Sequence, residues 1–348
     1  MNIGLILEQR GGPTTPKKRK AGKALKKASG NPLVAFYDWL DGYFGKLEPR
    51  WLPVALMYLG LSMVTAYSNY KAGGLPSAAW HENMMDLKSV APNAYRVLPA
   101  FAAEATHRLL GVSAPFAYGI NGCIFIFMAA CVFHVFLKKW FSTEVTLVGT
   151  LFMFAALPLT YGLIAQPSDT FSLFIWALGL LLIRDKKDVW LIPVILVGTL
   201  NRETTLFLVL AYFLFRWDEA PKGRLIGYSA AYFVSWLAVY EGLRLWIGPR
   251  DYGTDYWQYG HNIDQWYYSL AFPALLFGVF WVMALMDWAK KPKFLTRSAL
   301  IIPPFIFIHF FIANLMEARL FDVLFLIIVP LALFSLFKGT YLKAESKG

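Results

Sequence analysis

Charged residues are scarce in this sequence. They make up 16% of its 348 residues, whereas hydrophobic residues make up 57% and the mean hydropathy is +0.48. Soluble globular domains carry about a quarter of their residues as charges, which keep the surface solvated. The composition therefore excludes an ordinary soluble enzyme or binding module and predicts that lipid surrounds most of the chain.

Cysteine is also scarce, and the two that occur exclude a disulfide framework. Cys123 and Cys131 lie in one apolar segment. Two residues at that spacing on one helix are too far apart for a disulfide bond. The cysteines therefore give no information about the redox compartment.

The usual short motifs of catalysis are missing from the sequence. It has no glycine-rich phosphate loop, no GxSxG nucleophile motif and no Cys/His cluster with metal-ligand spacing. His81 stands beside Glu82 and near Asp86, where a divalent cation is an alternative, but one histidine beside acids is typical of a surface. We therefore predict no metal site and no cofactor.

Long apolar runs are the dominant feature of the sequence. A helix needs about 20 apolar residues to cross about 30 Å of hydrocarbon. Eight runs approach or exceed this length, namely 52–69, 115–137, 143–163, 169–184, 226–247, 267–286, 298–314 and 320–337. We predict an all-α, polytopic transmembrane bundle over residues 51–338.

Residues 190–215 depart from this pattern. The polar sequence NRET at 201–204 divides two apolar stretches, each of about half the length needed to cross a membrane. We predict a helical hairpin that enters the membrane and returns. This interpretation also keeps Arg216, Lys222 and Arg224 on the same side as the strongly basic loop near residue 290.

The distribution of Lys and Arg predicts the orientation, because these residues are retained in cytoplasmic loops. With sides assigned by alternation, 25 of the 33 Lys and Arg residues fall on one side. That side carries both the tail of residues 1–50 and residues 339–348, so both termini are predicted to be cytoplasmic. The first 50 residues contain no signal-peptide pattern, and insertion is expected to begin with the first span.

The tail of residues 1–50 combines a Lys-rich stretch with a segment of helical periodicity. Leu33, Phe36, Tyr37, Leu40 and Phe44 fall on one helix face, which predicts an amphipathic helix at the cytoplasmic interface. Attraction to anionic membrane lipids explains the lysines. Binding of a partner protein is the alternative, and nucleic acid is not expected.

Ionisable residues collect on the predicted outer side. The long outer loop at 70–114 has the pattern of one or two helices lying on the membrane. In or against the bilayer lie Arg202, Glu203, Glu241, Arg244, Glu317 and Arg319. Such residues are costly in lipid unless they are paired or face a watery cavity, so they predict either internal salt bridges, as between Glu241 and Arg244 at i, i+3, or an outward cavity. Several arginines at headgroup depth suit a phosphate group. We expect Arg202 to lie within reach of Arg319, Arg96 or both across an anion-sized gap, with Glu203 as its neutralising partner.

Four short motifs carry a resemblance to a known family. They are YRVLP at 95–99, QPSD at 166–169, NRET at 201–204 and MEAR at 316–319. Together they resemble bacterial membrane glycosyltransferases of the GT-C type, in which arginines hold the phosphate of a polyprenyl-phosphate-sugar donor. The resemblance implies Asp86 or Glu82 as the base, Arg96, Arg202 and Arg319 as phosphate ligands, and Glu203 and Glu317 as orienting residues. It also implies a bacterial inner-membrane location.

Two other classes of function remain open at this point. A transporter or flippase of an amphiphilic anion also uses half-helices near the middle of the membrane, although such proteins usually show internal repeats. A non-catalytic subunit of a larger membrane assembly is the other alternative. An open groove lined by Asp86 favours the transferase, and a cavity filled by side chains favours the subunit.

Overall fold

A computed structural model describes residues 42, 45, 48, 50–71, 75–161, 166–253 and 255–338. The helices in these ranges are α1 (Trp51–Lys71), α2 (Ala78–Met85), α3 (Val97–Leu110), α4 (Ala114–Leu137), α5 (Thr143–Tyr161), α6 (Pro167–Arg184), α7 (Asp188–Asn201), α8 (Leu206–Arg216), α9 (Lys222–Ile247), α10 (Tyr259–Asp264), α11 (Trp266–Phe277), α12 (Val279–Leu285), α13 (Lys293–Ser298), α14 (Ile302–Ile312) and α15 (Asp322–Leu336). Within these ranges the one β-type pairing is a bridge between Ala91 and Tyr252. The all-α prediction is confirmed.

Six helical segments are long and apolar enough to cross a membrane. They are Trp51–Lys71, Ala114–Leu137, Thr143–Thr160, Pro167–Arg184, Lys293–Ile312 and Ala318–Leu336. A seventh crossing is formed if α11 and α12 count as one span, because the two are bent by 69° at Gly278, whose φ is +47°. Glycine tolerates this left-handed backbone and so permits the bend. The chain therefore has the helices of an integral membrane protein.

One further predicted span, 226–247, falls within α9. This helix is not apolar enough to count among the helices that can cross a membrane. This helix has 26 residues, which is long enough. It contains three tyrosines and two serines as well as Glu241 and Arg244, and these polar groups lower its hydropathy. The prediction of eight apolar spans is therefore not confirmed, and the structure supports six or seven.

The predicted hairpin at 190–215 is present. The helices α7 and α8 have 14 and 11 residues, and the chain between them is extended at Arg202 and then forms a 3-10 turn at Glu203–Thr205. Lys186 precedes α7 and Glu219 follows α8, and the Lys186 Nζ atom lies 3.5 Å from Glu219 Oε2. The start of α7 and the end of α8 therefore lie close together, so the chain enters the bundle and returns on the same side.

We predict that Gly198→Ala destabilises this hairpin. A Cβ at Gly198 would lie 2.7 Å from Thr205 Cγ2 and 2.9 Å from Ile175 Cγ2, and both neighbours are stiff β-branched side chains. Overpacking of this kind costs about 1–3 kcal/mol. Thermal unfolding in detergent measures the effect. Gly60→Ala is the matched control, since a Cβ there has no atom within 4 Å; equal melting temperatures for the two variants would contradict the prediction.

The most deeply buried helix is α15. In the span Ala318–Leu336, 83% of the residues in the apolar stretch are buried inside the protein, compared with 22% for α1. A helix that is apolar on every face belongs in the interior of a bundle. The exposed residues of α1, including Leu56, Met63 and Val64, instead form a surface of the kind that faces lipid.

The described loops that were predicted to share one side meet at one end of the bundle, called here the basic end. Ion pairs there join Lys139 to Asp185, Lys186 to Glu219, Arg297 to Asp218 and Lys338 to Asp287. The Arg184 guanidinium lies over the Trp140 and Phe294 rings. The opposite end, called the cavity end, gathers the starts of α3 and α6, the hairpin tip and residues 314–321.

The chain divides into two compact units, Met1–Pro49 and Arg50–Gly348. The predicted amphipathic helix at Leu33–Phe44 belongs to the first unit and lies outside the described residues, apart from Gly42. Residues 339–348 lie outside them as well.

Candidate functional site

A half-open cavity of about 320 Å³ lies at the cavity end. The described residues that line it are Leu75, Pro76, Ser77, Trp80, Asn93, Arg96, Pro99, Gln166, Pro167 and Ser168. They come from the start of α2, the start of α3 and the start of α6. Half of these described residues are apolar and half are polar, and Arg96 is the one charged residue among them. This combination suits an amphiphile with an anionic group.

Arg96 is held in place by two acceptors. Its Nη2 donates to Glu203 Oε1 at 2.5 Å, its Nε donates to Glu203 Oε2 at 3.3 Å, and its Nη1 donates to Gln166 Oε1 at 2.9 Å. Three of the five guanidinium hydrogens are engaged in these bonds, which leaves two for a ligand. The predicted phosphate ligand Arg96 therefore lies where a ligand could reach it.

The start of α6 carries the carboxylate that organises the site. Asp169 is buried in the first turn, and its Oδ2 accepts the backbone N–H of Gln166 at 2.8 Å. Its Oδ1 accepts from Arg202 Nη2 at 2.6 Å and from Arg319 Nη1 at 3.2 Å. One buried carboxylate thus neutralises two guanidinium groups from different parts of the chain.

The prediction of an anion-sized gap between Arg202 and Arg319 is therefore wrong. Asp169 fills the gap, and the void that the two arginines border is only about 10 Å³. That volume accommodates about one water molecule and no phosphate group. The reason is electrostatic, because two buried guanidinium groups need a counter-ion at all times and the fold supplies its own.

The two acids that were predicted to orient the arginines differ in the contacts that they make. Glu317 contacts the Arg319 guanidinium, as expected. Glu203 was expected to neutralise its neighbour Arg202 but forms its ion pair with Arg96. Gln166 Oε1 accepts from both Arg96 and Arg202, at 2.9 and 3.2 Å, and so joins the two pairs. The result is one continuous polar network across the cavity end.

Asp86 and Glu82 do not line the cavity, which corrects the predicted position of the base at the cavity mouth. Helix α2 buries His81 and Met84, and Glu82 is exposed on a different face because successive helical residues are rotated by about 100°. Asp86 ends the helix with its side chain 57% exposed and paired to Lys88 at 2.7 Å.

The other residues expected to line the cavity also make internal contacts. The Arg244 guanidinium lies 3.4 Å from the centre of the Tyr240 ring and 4.5 Å from that of Tyr95. It also donates to the Tyr240 carbonyl. Glu241 is exposed. The predicted pair between Glu241 and Arg244 is not among the contacts of the described residues.

A histidine-centred cluster fixes α2 against the bundle behind the Trp80 wall of the cavity. His81 Nδ1 lies 2.9 Å from the Tyr118 hydroxyl, and His81 Nε2 lies 3.0 Å from Glu104 Oε2. Glu104 Oε1 also accepts from Arg108 Nε. These bonds join α2, α3 and α4, so the helix that carries Trp80 is held by a polar anchor.

Acidification is expected to release this anchor. Hydrogen bonds from His81 and then Arg108 hold the pKa of Glu104 below its usual value of 4.5. A lowered pKa means that the contribution is complete near neutral pH and is lost as the pH falls through that lowered value. Hydrogen exchange of the backbone amides of α2, residues 78–85, should become faster below about pH 4.5 after correction for the intrinsic rates. Glu104→Gln should remove this pH dependence; an unchanged dependence would contradict the assignment.

Sequence reasoning missed three residues of the site, namely Gln166, Ser168 and Asp169. All three lie in the QPSD motif, which contributed to the resemblance but was not assigned a role. The available signal was a carboxylate in the first turn of an apolar helix, where it must find partners. Those partners are Arg202 and Arg319, and their identity depends on the tertiary fold.

Among the described residues, no group of three or more His, Cys, Asp and Glu side chains is arranged to hold a metal ion.

Comparisons with protein-family models, with curated proteins and with solved structures give no match for this chain. Its assignment therefore depends on the geometry of the site, and the resemblance to GT-C glycosyltransferases stays a prediction.

Proposed function

We propose that this protein is a membrane glycosyltransferase with a GT-C-like fold. It takes a sugar from a polyprenyl-phosphate carrier and transfers it to an acceptor at the cavity end. The observation that supports this most is the half-open cavity of about 320 Å³ with one accessible guanidinium at its wall. The proposal places the chain in a bacterial inner membrane, with the basic end and both termini in the cytoplasm.

The cavity offers each part of such a donor a matching surface. Phosphate oxygens accept hydrogen bonds from the Arg96 guanidinium at the cavity wall. Leu75, Pro76, Pro99 and Pro167 offer apolar surface to the first isoprene units. Trp80 presents an aromatic ring beside Ser77 and Asn93, whose side chains offer hydrogen bonds to sugar hydroxyls.

Transfer is tested with the purified protein in lipid nanodiscs, a polyprenyl-phosphate sugar radiolabelled in the sugar, and heat-treated bacterial membrane extract as the source of acceptor hydroxyls. The proposal expects release of polyprenyl phosphate that depends on the protein. The resemblance expects a base at Asp86 or Glu82, so Asp86→Asn and Glu82→Gln are assayed separately. A base removed at nearly constant shape should lower turnover by about a hundredfold or more. No release by the wild-type protein would refute the proposed activity.

A second function is favoured by the placement of the carboxylates. Asp86 and Glu82 are exposed and are not among the residues that line the cavity, and Arg202 and Arg319 are neutralised inside the protein. A non-catalytic subunit that binds a lipid phosphate in the same cavity fits this arrangement. Binding of polyprenyl phosphate without release of sugar would support the subunit over the transferase.

A further inference from the structure

The Arg96–Glu203 pair occupies the face of the guanidinium that a phosphate would use. Guanidinium binds carboxylate and phosphate in the same bidentate way, with two parallel N–H bonds. Glu203 already accepts from both Nε and Nη2 of Arg96. A phosphate that binds Arg96 in this way must therefore displace the Glu203 carboxylate.

The surroundings allow Glu203 to leave while Arg96 stays. The Glu203 side chain is 33% exposed, whereas that of Arg96 is 12% exposed. Trp236 Nε1 donates to the Glu203 carbonyl at 2.9 Å, which fixes the backbone and leaves the side chain as the part free to turn. Gln166 Oε1 accepts from Arg96 Nη1 at 2.9 Å, a bond that does not involve Glu203.

We propose that Glu203 is a built-in competitor for the anionic group of the ligand. This inference rests on the proposed function, in which a phosphate binds Arg96. With the cavity empty, Glu203 neutralises Arg96 in a low-dielectric setting. When a phosphate enters, it takes over the Nε and Nη2 bonds, and Glu203 turns to solvent. The exchange lowers the affinity for the phosphate and so favours release of the polyprenyl phosphate left after transfer.

The test compares the affinity of Glu203→Gln and wild-type protein for a short-chain polyprenyl monophosphate in nanodiscs. Gln keeps the size and one acceptor oxygen but loses the charge, so its bond to Arg96 is weaker. The variant should bind the monophosphate about tenfold more tightly, since one like charge beside the phosphate has gone. Glu241→Gln makes the same charge change at an exposed site of α9 and should leave the affinity unchanged.

Two further variants separate direct competition from a general charge effect. In the double variant Arg96→Gln/Glu203→Gln the gain should vanish, because the competition requires the guanidinium. Glu203→Asp keeps the charge on a shorter side chain that reaches Arg96 less well, and it should bind more tightly than wild type by a smaller factor. This second variant keeps the test decisive if Glu203→Gln does not fold.

The outcomes distinguish this inference from the proposed function. If wild type binds the monophosphate through Arg96 but neither Glu203 variant binds more tightly, the competitor role is refuted and the proposed function stands. A gain that persists without Arg96 also refutes it. If wild type does not bind, or if Arg96→Gln binds as wild type does, the proposed function itself fails.

Discussion

Asp169→Asn should lower the free energy of unfolding by about 3–5 kcal/mol, the cost of removing one partner from a buried ion pair. The side chains of Arg202 and Arg319 are only 7% and 4% exposed, and both donate to Asp169 Oδ1. The asparagine has nearly the same shape, so the loss comes from charge and not from packing. Arg202 would keep Ser168 and Gln166 as neutral acceptors.

Asp86→Asn is the matched control, because it makes the same chemical change at an exposed carboxylate. Its pair with Lys88 is solvated at both ends and contributes about 1 kcal/mol or less. Thermal unfolding in detergent, followed by tryptophan fluorescence, should therefore separate the two variants widely. Similar melting temperatures would show that the Arg202–Asp169–Arg319 network does not hold the cavity end together.

Arg96→Gln should weaken binding of polyprenyl phosphate by about a hundredfold or more. The substitution removes the charged donor at the cavity wall, and truncating one partner of a charge-assisted pair costs about 2–5 kcal/mol. It also leaves the Glu203 carboxylate facing the phosphate without a counter-ion. Titration of the ligand into nanodiscs measures the change.

Arg108→Gln controls for the loss of one positive charge at the same end of the protein. Arg108 is 75% exposed, pairs with Glu104 and is not among the residues that line the cavity. Its removal should change the affinity by less than about threefold, since exposed charges are screened by salt. Equal losses in the two variants would mean that the phosphate is attracted by overall charge and has no site at Arg96.

The architecture was largely predictable because lipid imposes a simple rule on sequence. Backbone groups cannot remain unpaired in hydrocarbon, so long apolar runs must be helices, and a polar break such as NRET must be buried in protein or border a cavity. This rule predicted the hairpin and six of the spans. It did not settle the segment at 226–247, where tyrosines and serines make a long helix only moderately apolar.

The site was only partly predictable because ion pairing is decided by tertiary contacts. The sequence identified Arg202 and Arg319 as costly charges that need partners, which is correct. It could not show that Asp169, 33 residues before Arg202 and 150 before Arg319, would supply the shared counter-ion. Nor could it show that Glu203 would turn from its neighbour Arg202 to Arg96.

The central claim is that the cavity between the starts of α2, α3 and α6 binds a lipid-linked phosphate through Arg96. The most direct measurement is a cryo-electron microscopy map of the protein with a non-hydrolysable polyprenyl-phosphate sugar. The account predicts phosphate density within hydrogen-bond distance of the Arg96 guanidinium, with the lipid chain along Pro99 and Pro167. Phosphate density at the arginines of the basic end, with the cavity at Arg96 unchanged, would contradict it.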